Sequence, residues 1–278
     1  KKNWLKILKK NKLFEFKKLD ICDYKNLKLL FKKNNIKIVI NLAAQAGVRY
    51  SVKNPRTYLE NNINGYFNIL EACKENKINH LIQASTSSVY GNNNRFPLNE
   101  NLSTSSPLSF YAASKKSTEV LSHSYSYIYK LPITCLRFFT VYGPFGRPDM
   151  ALFKFVDKIL NNKTIELFNF GNHYRDFTYI DDVTNSIEKI IKKPPKKNIP
   201  FEIYNLGSNS PISLIKFLRF IERELGKKAK IKKIKMQKGD IGKTHADNKK
   251  LTNRIKYLPK FNTEIGIKNF IKWFKEYK

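Results

Sequence analysis

The chain has 278 residues, and its 53 lysines and arginines against 22 aspartates and glutamates give a formal net charge of +31. Hydrophobic residues make up 41% of the sequence, which is enough for a folded core and excludes an intrinsically disordered protein. No apolar run reaches the ~18 residues that a membrane-spanning helix needs, so we expect that the chain is not an integral membrane protein.

The positive charge is a reason to consider nucleic-acid binding, but its distribution argues against it. Only nine of the basic residues are arginines, and the lysines are spread along the whole chain. No recognisable nucleic-acid-binding module accompanies them. We therefore expect a lysine-rich solvated surface and no nucleic-acid partner.

The cysteines and histidines indicate neither disulfides nor metal. Cys22, Cys73 and Cys135 lie far apart, and the four histidines lack metal-ligand spacing. We expect ordinary surface or core positions for these histidines, no metal site, and a reducing, cytoplasmic location.

The first half of the chain alternates short β-branched runs with longer stretches of helical periodicity. The expected strands cover residues 14–19, 36–42, 80–85 and 133–139, and the expected helices cover residues 24–34, 55–75 and 110–129. This alternation predicts an α/β fold with a doubly wound parallel sheet, in which the compact run at 36–42 is a buried strand. Ligands bind beyond the carboxyl ends of such strands, where Asp20, Ala43-Ala44-Gln45, Thr86-Ser87-Ser88 and Thr140 stand.

The pattern changes near residue 143. Residues 143–149 contain two glycines and two prolines, and short strands and helices are expected after them. We predict a first domain over residues 1–143 and a smaller lobe over residues 144–278.

The pair Tyr111 and Lys115 stands on the predicted helix 110–129 with i, i+4 spacing, so both side chains share one face. An ammonium beside a phenol favours the phenolate and lowers its pKa. Such a tyrosine exchanges a proton with a substrate hydroxyl near neutral pH. This spacing alone also arises by chance, but Thr86, at the end of a predicted strand, supplies a hydroxyl for the same substrate oxygen.

With further motifs in the same order, this set resembles the extended short-chain dehydrogenase/reductase family of nucleotide-sugar enzymes. The motifs are Asn41-Leu42-Ala43-Ala44-Gln45-Ala46-Gly47, Thr86-Ser87-Ser88-Val89-Tyr90-Gly91, Tyr111-x-x-x-Lys115, the stretches 136–144 and 175–183, and Gly239-Asp240. The resemblance implies a Rossmann-like fold in which Thr86, Tyr111 and Lys115 are catalytic. It also implies NAD held by Asp20, Ile21, Ala43, Ala44, Gln45, Asn61, Tyr111, Lys115 and Val141, although either Asn61 or Asn62 fits the asparagine position.

Within the family, residues 43–51 and 146–151 resemble UDP-glucuronate 4-epimerases. Ser87 and Ser88 stand where dehydratases and decarboxylases of the family carry acidic residues, which favours oxidation at C4 without elimination or decarboxylation. The resemblance implies that these serines line the sugar pocket and that Arg175 and Asp240 bind the diphosphate and the uridine ribose. A guanidinium suits the C6 carboxylate, and we expect Arg147, beside Thr140, in that role, with Arg49 as the alternative.

The implied activity is NAD-dependent 4-epimerisation of UDP-glucuronate to UDP-galacturonate through a 4-keto intermediate, in the synthesis of a polysaccharide. The alternatives are a UDP-glucose or UDP-N-acetylhexosamine 4-epimerase and an inactive fragment that keeps the fold. The family's opening strand, Gly-x-x-Gly-x-x-Gly turn and helix are not in this sequence, so we expect an N-terminally incomplete chain with weak NAD binding. The family also commonly forms homodimers through a four-helix bundle, here through the helices around 58–75 and 110–129.

Overall fold

The computed structural model describes residues 2–237 and 239–277, with side chains from Trp4 onward. The strands in these ranges are β1 (Ile38–Asn41), β2 (His80–Thr86), β3 (Ile133–Phe138), β4 (Thr140–Tyr142), β5 (Ile165–Leu167), β6 (Tyr174–Tyr179), β7 (Phe201–Leu206), β8 (Pro211–Ser213) and β9 (Ile231–Lys233). The α-helices are α1 (Lys2–Leu8), α2 (Tyr24–Lys33), α3 (Val48–Lys53), α4 (Pro55–Tyr58), α5 (Gly65–Glu75), α6 (Phe110–Tyr129), α7 (Ala151–Leu160), α8 (Ile180–Ile191), α9 (Leu214–Leu225), α10 (Lys249–Ile255) and α11 (Thr263–Tyr277). None of the helices in the described ranges is long and apolar enough to cross a membrane.

The main sheet is parallel throughout, in the order β1-β2-β3-β7. Thr86 pairs with Phe138, and Phe138 pairs with Leu206, so the carboxyl ends of three strands lie in register. Parallel neighbours require crossover connections, and helices supply them here. The predicted α/β fold with a Rossmann-like parallel sheet is confirmed.

Two of the helices belong directly to the site. α6 has the predicted bounds because the Ser109 hydroxyl accepts a hydrogen bond from the Ala112 amide at its start, and Lys130 takes a left-handed conformation, with φ of 54°, at its end. The predicted helix 55–75 begins with Pro55 and is continuous, but its middle, Leu59–Asn64, is a π-helix between α4 and α5. Such π-helical turns occur often at functional sites.

The predicted strand at residues 14–19 is wrong. Residues 14–20 have no regular secondary structure, and no strand of the described ranges lies beside them. A strand is held by backbone hydrogen bonds to a neighbour, and an alternating apolar pattern without that neighbour does not suffice.

The predicted strand at residues 36–42 is present as the shorter β1, but it is not buried as expected. Ile38 and Ile40 are 42% and 39% exposed, and Leu42 is 60% exposed. Of the described strands, only β2 pairs with β1, so β1 is an edge strand. A compact apolar run predicts a strand but does not fix the strand's place in the sheet.

The second half of the chain builds two smaller sheets, β4-β6-β8 and β5-β9. They pack with α7, α9 and α11 around an aromatic core in which the rings of Phe177 and Phe217 stack with centroids 4.0 Å apart. The chain crosses between the sheets, because β4 follows β3 after one residue and pairs with β6, while β7 returns to β3. The crossing brings β4 and the segment after it to the carboxyl end of the main sheet.

Candidate functional site

The carboxyl end of β2 carries the first group of predicted site residues. Thr86 is the last residue of β2, and a 3₁₀ helix, Ser87–Tyr90, follows it directly. The Thr86 hydroxyl accepts a hydrogen bond from the Ser88 amide at 3.2 Å and lies 3.3 Å from the Ser88 hydroxyl. The structure therefore brings three adjacent hydroxyls to the edge of the sheet where ligands bind.

Helix α6 brings Tyr111 and Lys115 to the same place. Because the Ser109 cap starts the helix at Phe110, Tyr111 lies in the first turn, where its phenol faces Thr86. Lys115 lies one turn further along and is 3% exposed. The predicted spacing on one helix face is present, and it meets the predicted threonine.

The pKa of Tyr111 differs from the sequence expectation. Burial raises this pKa above its ordinary value, and the contributions that lower it come from the Thr86 contact and from the charge of Arg147. Burial also lowers the pKa of Lys115 to about 8, although the charge of Glu119 acts in the opposite direction. The predicted lowering of the Tyr111 pKa by Lys115 is therefore corrected: in this protein environment the neutral phenol is the favoured form at neutral pH.

Sequence reasoning missed the residues that hold the Ala43–Gly47 loop. Asn62 is 2% exposed; its side-chain oxygen accepts from the Gln45 amide at 2.7 Å, and its amide group donates to the Gln45 carbonyl and to the Ser114 hydroxyl on α6. The Tyr58 hydroxyl donates to the Gly47 carbonyl at 2.5 Å. The only signal for these roles was the adjacent asparagine pair, and it did not say which one points inward.

An open cavity of about 470 Å³ lies beside this loop. Its lining comes from three separated parts of the chain and includes six of the residues predicted for the cofactor: Asp20, Ile21, Ala43, Ala44, Gln45 and Asn61. The π-helix carries both asparagines, and Asn61 faces the cavity while Asn62 points into the interior. Of the three other predicted cofactor contacts, Tyr111 and Lys115 lie on α6, and Val141 lies in β4 and is half-buried.

A charged cluster in the second half of the chain surrounds Asp240. Arg175 Nη2 donates to Asp240 Oδ1 at 3.1 Å, and Arg49 Nη2 lies 4.0 Å from Oδ2. The Arg49 guanidinium also lies over the Phe168 ring at 4.2 Å. His173, for which the sequence indicated no role, is buried with Nε2 3.6 Å from Asp240 Oδ2, and burial lowers its pKa.

The neighbouring Asp176 is not the partner of Arg175. Its carboxylate accepts from the backbone amides of Ser208, Asn209 and Ala246 and from the Ser208 hydroxyl. The Arg175-Asp176 pair in the sequence is therefore not a local surface ion pair, because the two side chains serve different parts of the fold.

The loop after β4 carries Arg147, which binds Asp149 with two hydrogen bonds of 2.9 and 2.5 Å. The Arg147 and Asp149 side chains are 48% and 55% exposed. Burial raises the pKa of both Tyr58 and Tyr111, and the charge of Arg147 acts in the opposite direction on both, so this guanidinium influences the site of Tyr111. Thr140 is half-buried at the start of β4. Among the described residues, no group of three or more His, Cys, Asp or Glu side chains is placed to hold a metal ion.

The known proteins that this chain resembles in sequence and in structure include several UDP-sugar 4-epimerases. A UDP-glucuronate 4-epimerase from Thermodesulfobacterium geofontis is 42% identical over 277 residues, covering 99% of this chain and 84% of the relative. The crystal structure of UDP-glucuronic acid 4-epimerase from Bacillus cereus, in complex with UDP-glucuronic acid and NAD, superposes with a TM-score of 0.92 at 35% identity, covering 99% of this chain and 85% of that one. A UDP-glucose 4-epimerase with UDP-glucose from Thermotoga maritima superposes with a TM-score of 0.89 at 27% identity, covering 96% and 86%.

The model of the NAD dependent epimerase/dehydratase family matches residues 2–207, which include the main sheet, the hydroxyls at the end of β2 and helix α6. The chain belongs to the NAD dependent epimerase/dehydratase family.

Proposed function

We propose that this chain catalyses the NAD-dependent 4-epimerisation of UDP-glucuronate to UDP-galacturonate through a 4-keto intermediate. The observation that carries the proposal is the contact between the Tyr111 phenol and the Thr86 hydroxyl at the carboxyl end of β2, with Lys115 buried one turn along α6. Similarity to UDP-glucuronate 4-epimerases over nearly the whole chain supports this choice of substrate.

In this reaction Tyr111 accepts the proton of the C4 hydroxyl and later returns it, while Thr86 orients the C4 oxygen. Ser87 and Ser88 line the sugar pocket with hydroxyls, which donate and accept hydrogen bonds but have no carboxylate basicity. An acid/base side chain beside C5 promotes elimination, by removing the C5 proton, or decarboxylation, by protonating at C5 the enolate that loss of CO2 leaves. Two serines at these positions therefore favour return of the hydride to C4.

The residues around the 470 Å³ cavity fit a dinucleotide. The Asp20 carboxylate is suited to accept hydrogen bonds from a ribose, and the small side chains of Ala43 and Ala44 permit close approach of the ligand to the backbone. We propose that Asp20, Ile21, Ala43, Ala44, Gln45 and Asn61 hold NAD, together with Tyr111, Lys115 and Val141. When bound, NAD supplies the hydride acceptor for C4 and, in its oxidised form, a positive charge that favours the phenolate.

We assign the UDP moiety to the cluster around Asp240. The carboxylate is suited to the ribose hydroxyls, while Arg175 carries the positive charge that a diphosphate requires. Arg49 and His173 add positive charge or hydrogen-bonding capacity beside the same carboxylate. The position of Arg49 near Asp240 leaves Arg147, with Thr140, as the proposed partner of the C6 carboxylate.

This assignment requires Arg147 to exchange partners. Its two donors bind Asp149 in the bidentate arrangement that a sugar carboxylate would use. Since both side chains are about half exposed, the exchange breaks no buried contact. Asp149 thus holds the guanidinium in a preset orientation and competes with the substrate.

We further propose a homodimer that forms through α5 and α6. Phe67 on α5 and Val120, Tyr127 and Ile128 on α6 are between 46% and 62% exposed, which gives these packed helices a contiguous apolar surface.

The other expectations also stay proposals: a cytoplasmic location, a role in polysaccharide synthesis, and a division into a cofactor domain over 1–143 and a mainly sugar-nucleotide lobe over 144–278.

The direct test is to incubate the protein with NAD and UDP-glucuronate and to separate UDP-galacturonate by chromatography. A parallel incubation with UDP-glucose and UDP-N-acetylglucosamine tests the second candidate function, which the similarity to a UDP-glucose 4-epimerase favours. If a neutral UDP-sugar is converted and UDP-glucuronate is not, the chain is an epimerase of neutral UDP-sugars and our choice of substrate is wrong. If the wild type is as inactive as a Tyr111→Phe variant on all three substrates, the chain only keeps the fold.

A further inference from the structure

Behind the contact between Thr86 and Tyr111, a buried ion pair joins helix α6 to strand β3. The side chains of Arg137 and Glu119 are 2% and 1% exposed. Arg137 Nε donates to Glu119 Oε1 at 2.8 Å, and Nη2 donates to Oε2 at 2.9 Å. Although burial raises the pKa of Glu119, the bonds and charge of Arg137 hold it below its ordinary value, so the carboxylate is ionised at neutral pH.

A contribution to the stability of the fold is a weak explanation for a buried ion pair. Moving two charges out of water costs more than their attraction returns unless the geometry is excellent, and apolar pairs of similar volume are often as stable. None of the roles in the proposed function uses Arg137 or Glu119. What the pair contacts therefore suggests its purpose.

The carboxylate of the pair holds the residue that precedes Thr86. The Ser85 hydroxyl, at 3% exposure, donates to Glu119 Oε1 at 2.6 Å. Ser85 and Thr86 are consecutive at the end of β2. The end of the strand, directly before the Thr86 hydroxyl, is thus tied to helix α6, and not only to its neighbouring strands.

The guanidinium of the pair holds the other end of the same segment. Arg137 Nη1 donates to the Tyr90 hydroxyl at 3.0 Å and lies over the Tyr90 ring at 4.8 Å. The Tyr90 hydroxyl in turn donates to Asn205 Oδ1 on β7 at 2.6 Å. Tyr90 ends the 3₁₀ helix that contains Ser87 and Ser88.

We propose that the Glu119–Arg137 ion pair is a positioning device that fixes the segment 86–88 at both ends and sets the Thr86 hydroxyl against the Tyr111 phenol. Glu119 lies four residues beyond Lys115 and eight beyond Tyr111, so all three share one face of α6. The carboxylate that holds β2 is therefore rigidly linked to the base. This inference rests on the proposed function only in that Thr86, Ser87, Ser88 and Tyr111 are taken to touch the sugar.

Two single variants remove one link each and leave the ion pair in place. Ser85→Ala cuts the upstream link, and Tyr90→Phe removes the downstream hydroxyl but keeps the ring. Since displacement of a reacting group by about 1 Å can cost about 10²-fold, we expect each variant to lower kcat about tenfold. KM for UDP-glucuronate should stay within about twofold of the wild type, because Arg175 and Asp240 are untouched.

The double variant Glu119→Leu/Arg137→Met separates positioning from stability. It replaces both buried charges by apolar side chains. Lys116 loses a charged partner, since its ammonium lies 3.3 Å from Glu119 Oε2, but this side chain is 29% exposed, so the melting temperature should stay near that of the wild type. We expect kcat to fall about 10²-fold nonetheless, because both links are lost. A double variant with wild-type kcat would overturn the proposal.

The matched control is Thr134→Val, which breaks a buried side-chain bond between β2 and β3. This bond lies near the amino ends of the two strands, away from Ser85 and Arg137. The Thr134 hydroxyl contacts His80 Nε2 at 2.9 Å. This variant should lower the melting temperature and leave kcat unchanged. If Thr134→Val lowers kcat as much as Ser85→Ala does, the ion pair only supports the sheet and the proposal is wrong.

A readout without turnover separates this inference from the proposed function. The ionisation of Tyr111 is followed by ultraviolet absorbance as the difference between each protein and its Tyr111→Phe counterpart. Tyr111 faces Thr86 from β2, Arg147 from the loop after β4, Tyr58 from α4 and Lys115 from its own helix. Because the Thr86 contact lowers the pKa of Tyr111, Ser85→Ala should raise that pKa and Thr134→Val should not.

If the wild type converts none of the UDP-sugars but Ser85→Ala still shifts the Tyr111 titration, the proposed function fails and the positioning role stands. If UDP-glucuronate is converted but Ser85→Ala and Tyr90→Phe change neither kcat nor the titration, the function stands and the positioning role fails.

Discussion

The two sides of the proposed sugar pocket are built in opposite ways. At the end of β2, Ser85 and Thr86 are buried, and the buried pair of Glu119 and Arg137 adds side-chain bonds to those of the backbone. On the side of Arg147, an exposed guanidinium binds an exposed carboxylate from its own loop. The side that carries the chemistry is held rigidly, whereas the side proposed to recognise the carboxylate can exchange partners.

This difference has a physical basis. Proton exchange at C4 depends on the distance between reacting atoms, so a small displacement has a large effect on rate. Recognition of a carboxylate by a guanidinium tolerates motion, because two parallel hydrogen bonds can form once the groups meet. We therefore expect changes at the end of β2 to alter kcat and changes around Arg147 to alter KM.

The largest effect is expected for Tyr111→Phe, which removes the proton-exchanging hydroxyl and keeps the ring. We expect kcat to fall by about 10³-fold or more, because general acid–base groups contribute about 10²- to 10⁴-fold. Turnover is measured as UDP-galacturonate formed over time, and thermal unfolding serves as the folding control. Turnover near the wild-type rate would show that Tyr111 is not the base.

Arg147→Ala should mainly weaken the binding of UDP-glucuronate. Loss of a charged bidentate contact of about 1.5–3 kcal/mol corresponds to a KM about 10- to 100-fold higher. KM for a neutral UDP-sugar should be unaffected, which makes that sugar the internal control. A smaller fall in kcat is also expected, since the charge of Arg147 lowers the pKa of Tyr111. An equal KM change for both sugars would place the carboxylate elsewhere.

The pH dependence of kcat should reveal the buried lysine. Burial lowers the pKa of Lys115 to about 8, so its ammonium is present below that pH and is lost as pH rises through it. An ordinary lysine keeps its charge to about pH 10.4. Because Lys115 is proposed to help hold NAD, the apparent kcat at a limiting NAD concentration should decline as pH rises through about 8. A level profile well above pH 8 would contradict the role of Lys115, and the melting temperature at each pH controls for unfolding.

The smallest effect is expected for Asp149→Asn, which removes the competing charge from Arg147. We expect KM for UDP-glucuronate to fall by about two- to fivefold, since an exposed ion pair is worth at most about 1 kcal/mol. The kcat value should change little. A higher KM would mean that Asp149 mainly preorganises Arg147. The matched surface control is Lys192→Ala, which removes an exposed ion pair with Glu188 at the end of α8.

The local sequence predicted the elements whose signals are local. α6 has a hydroxyl cap at Ser109 and a long periodic run, so both of its ends follow from residues within a few positions. The strands at 80–85 and 133–139 were also recognisable, because both faces of a central parallel strand are apolar or small. The segment 14–19 has a similar local signal, but the strand predicted there is absent. A strand depends on a neighbouring strand, which the local sequence does not specify.

The site residues divide in the same way. Motif spacing placed Thr86, Tyr111 and Lys115 together, because the end of a strand and the first turn of a helix fix their positions. Motif spacing could not separate Asn61 from Asn62, since the packing of their helix against the Ala43–Gly47 loop decides which side chain faces the cavity. The spacing also predicted that the Lys115 ammonium lowers the pKa of Tyr111. In the structure the charge that acts to lower this pKa is that of Arg147, in a loop distant along the chain.

The sequence by itself determined the parallel α/β fold, the family and the identity of the hydroxyl, phenol and ammonium at the end of β2. Their periodicities and spacings lie within single elements, where backbone geometry converts sequence distance into position. Only the tertiary structure decided what acts on them: the burial that opposes ionisation of Tyr111, the link from Ser85 through Glu119 to Arg137, and the pairing of Arg147 with Asp149. Burial and electrostatics depend on which segments meet in space, and most of these partners are separated along the chain by many residues.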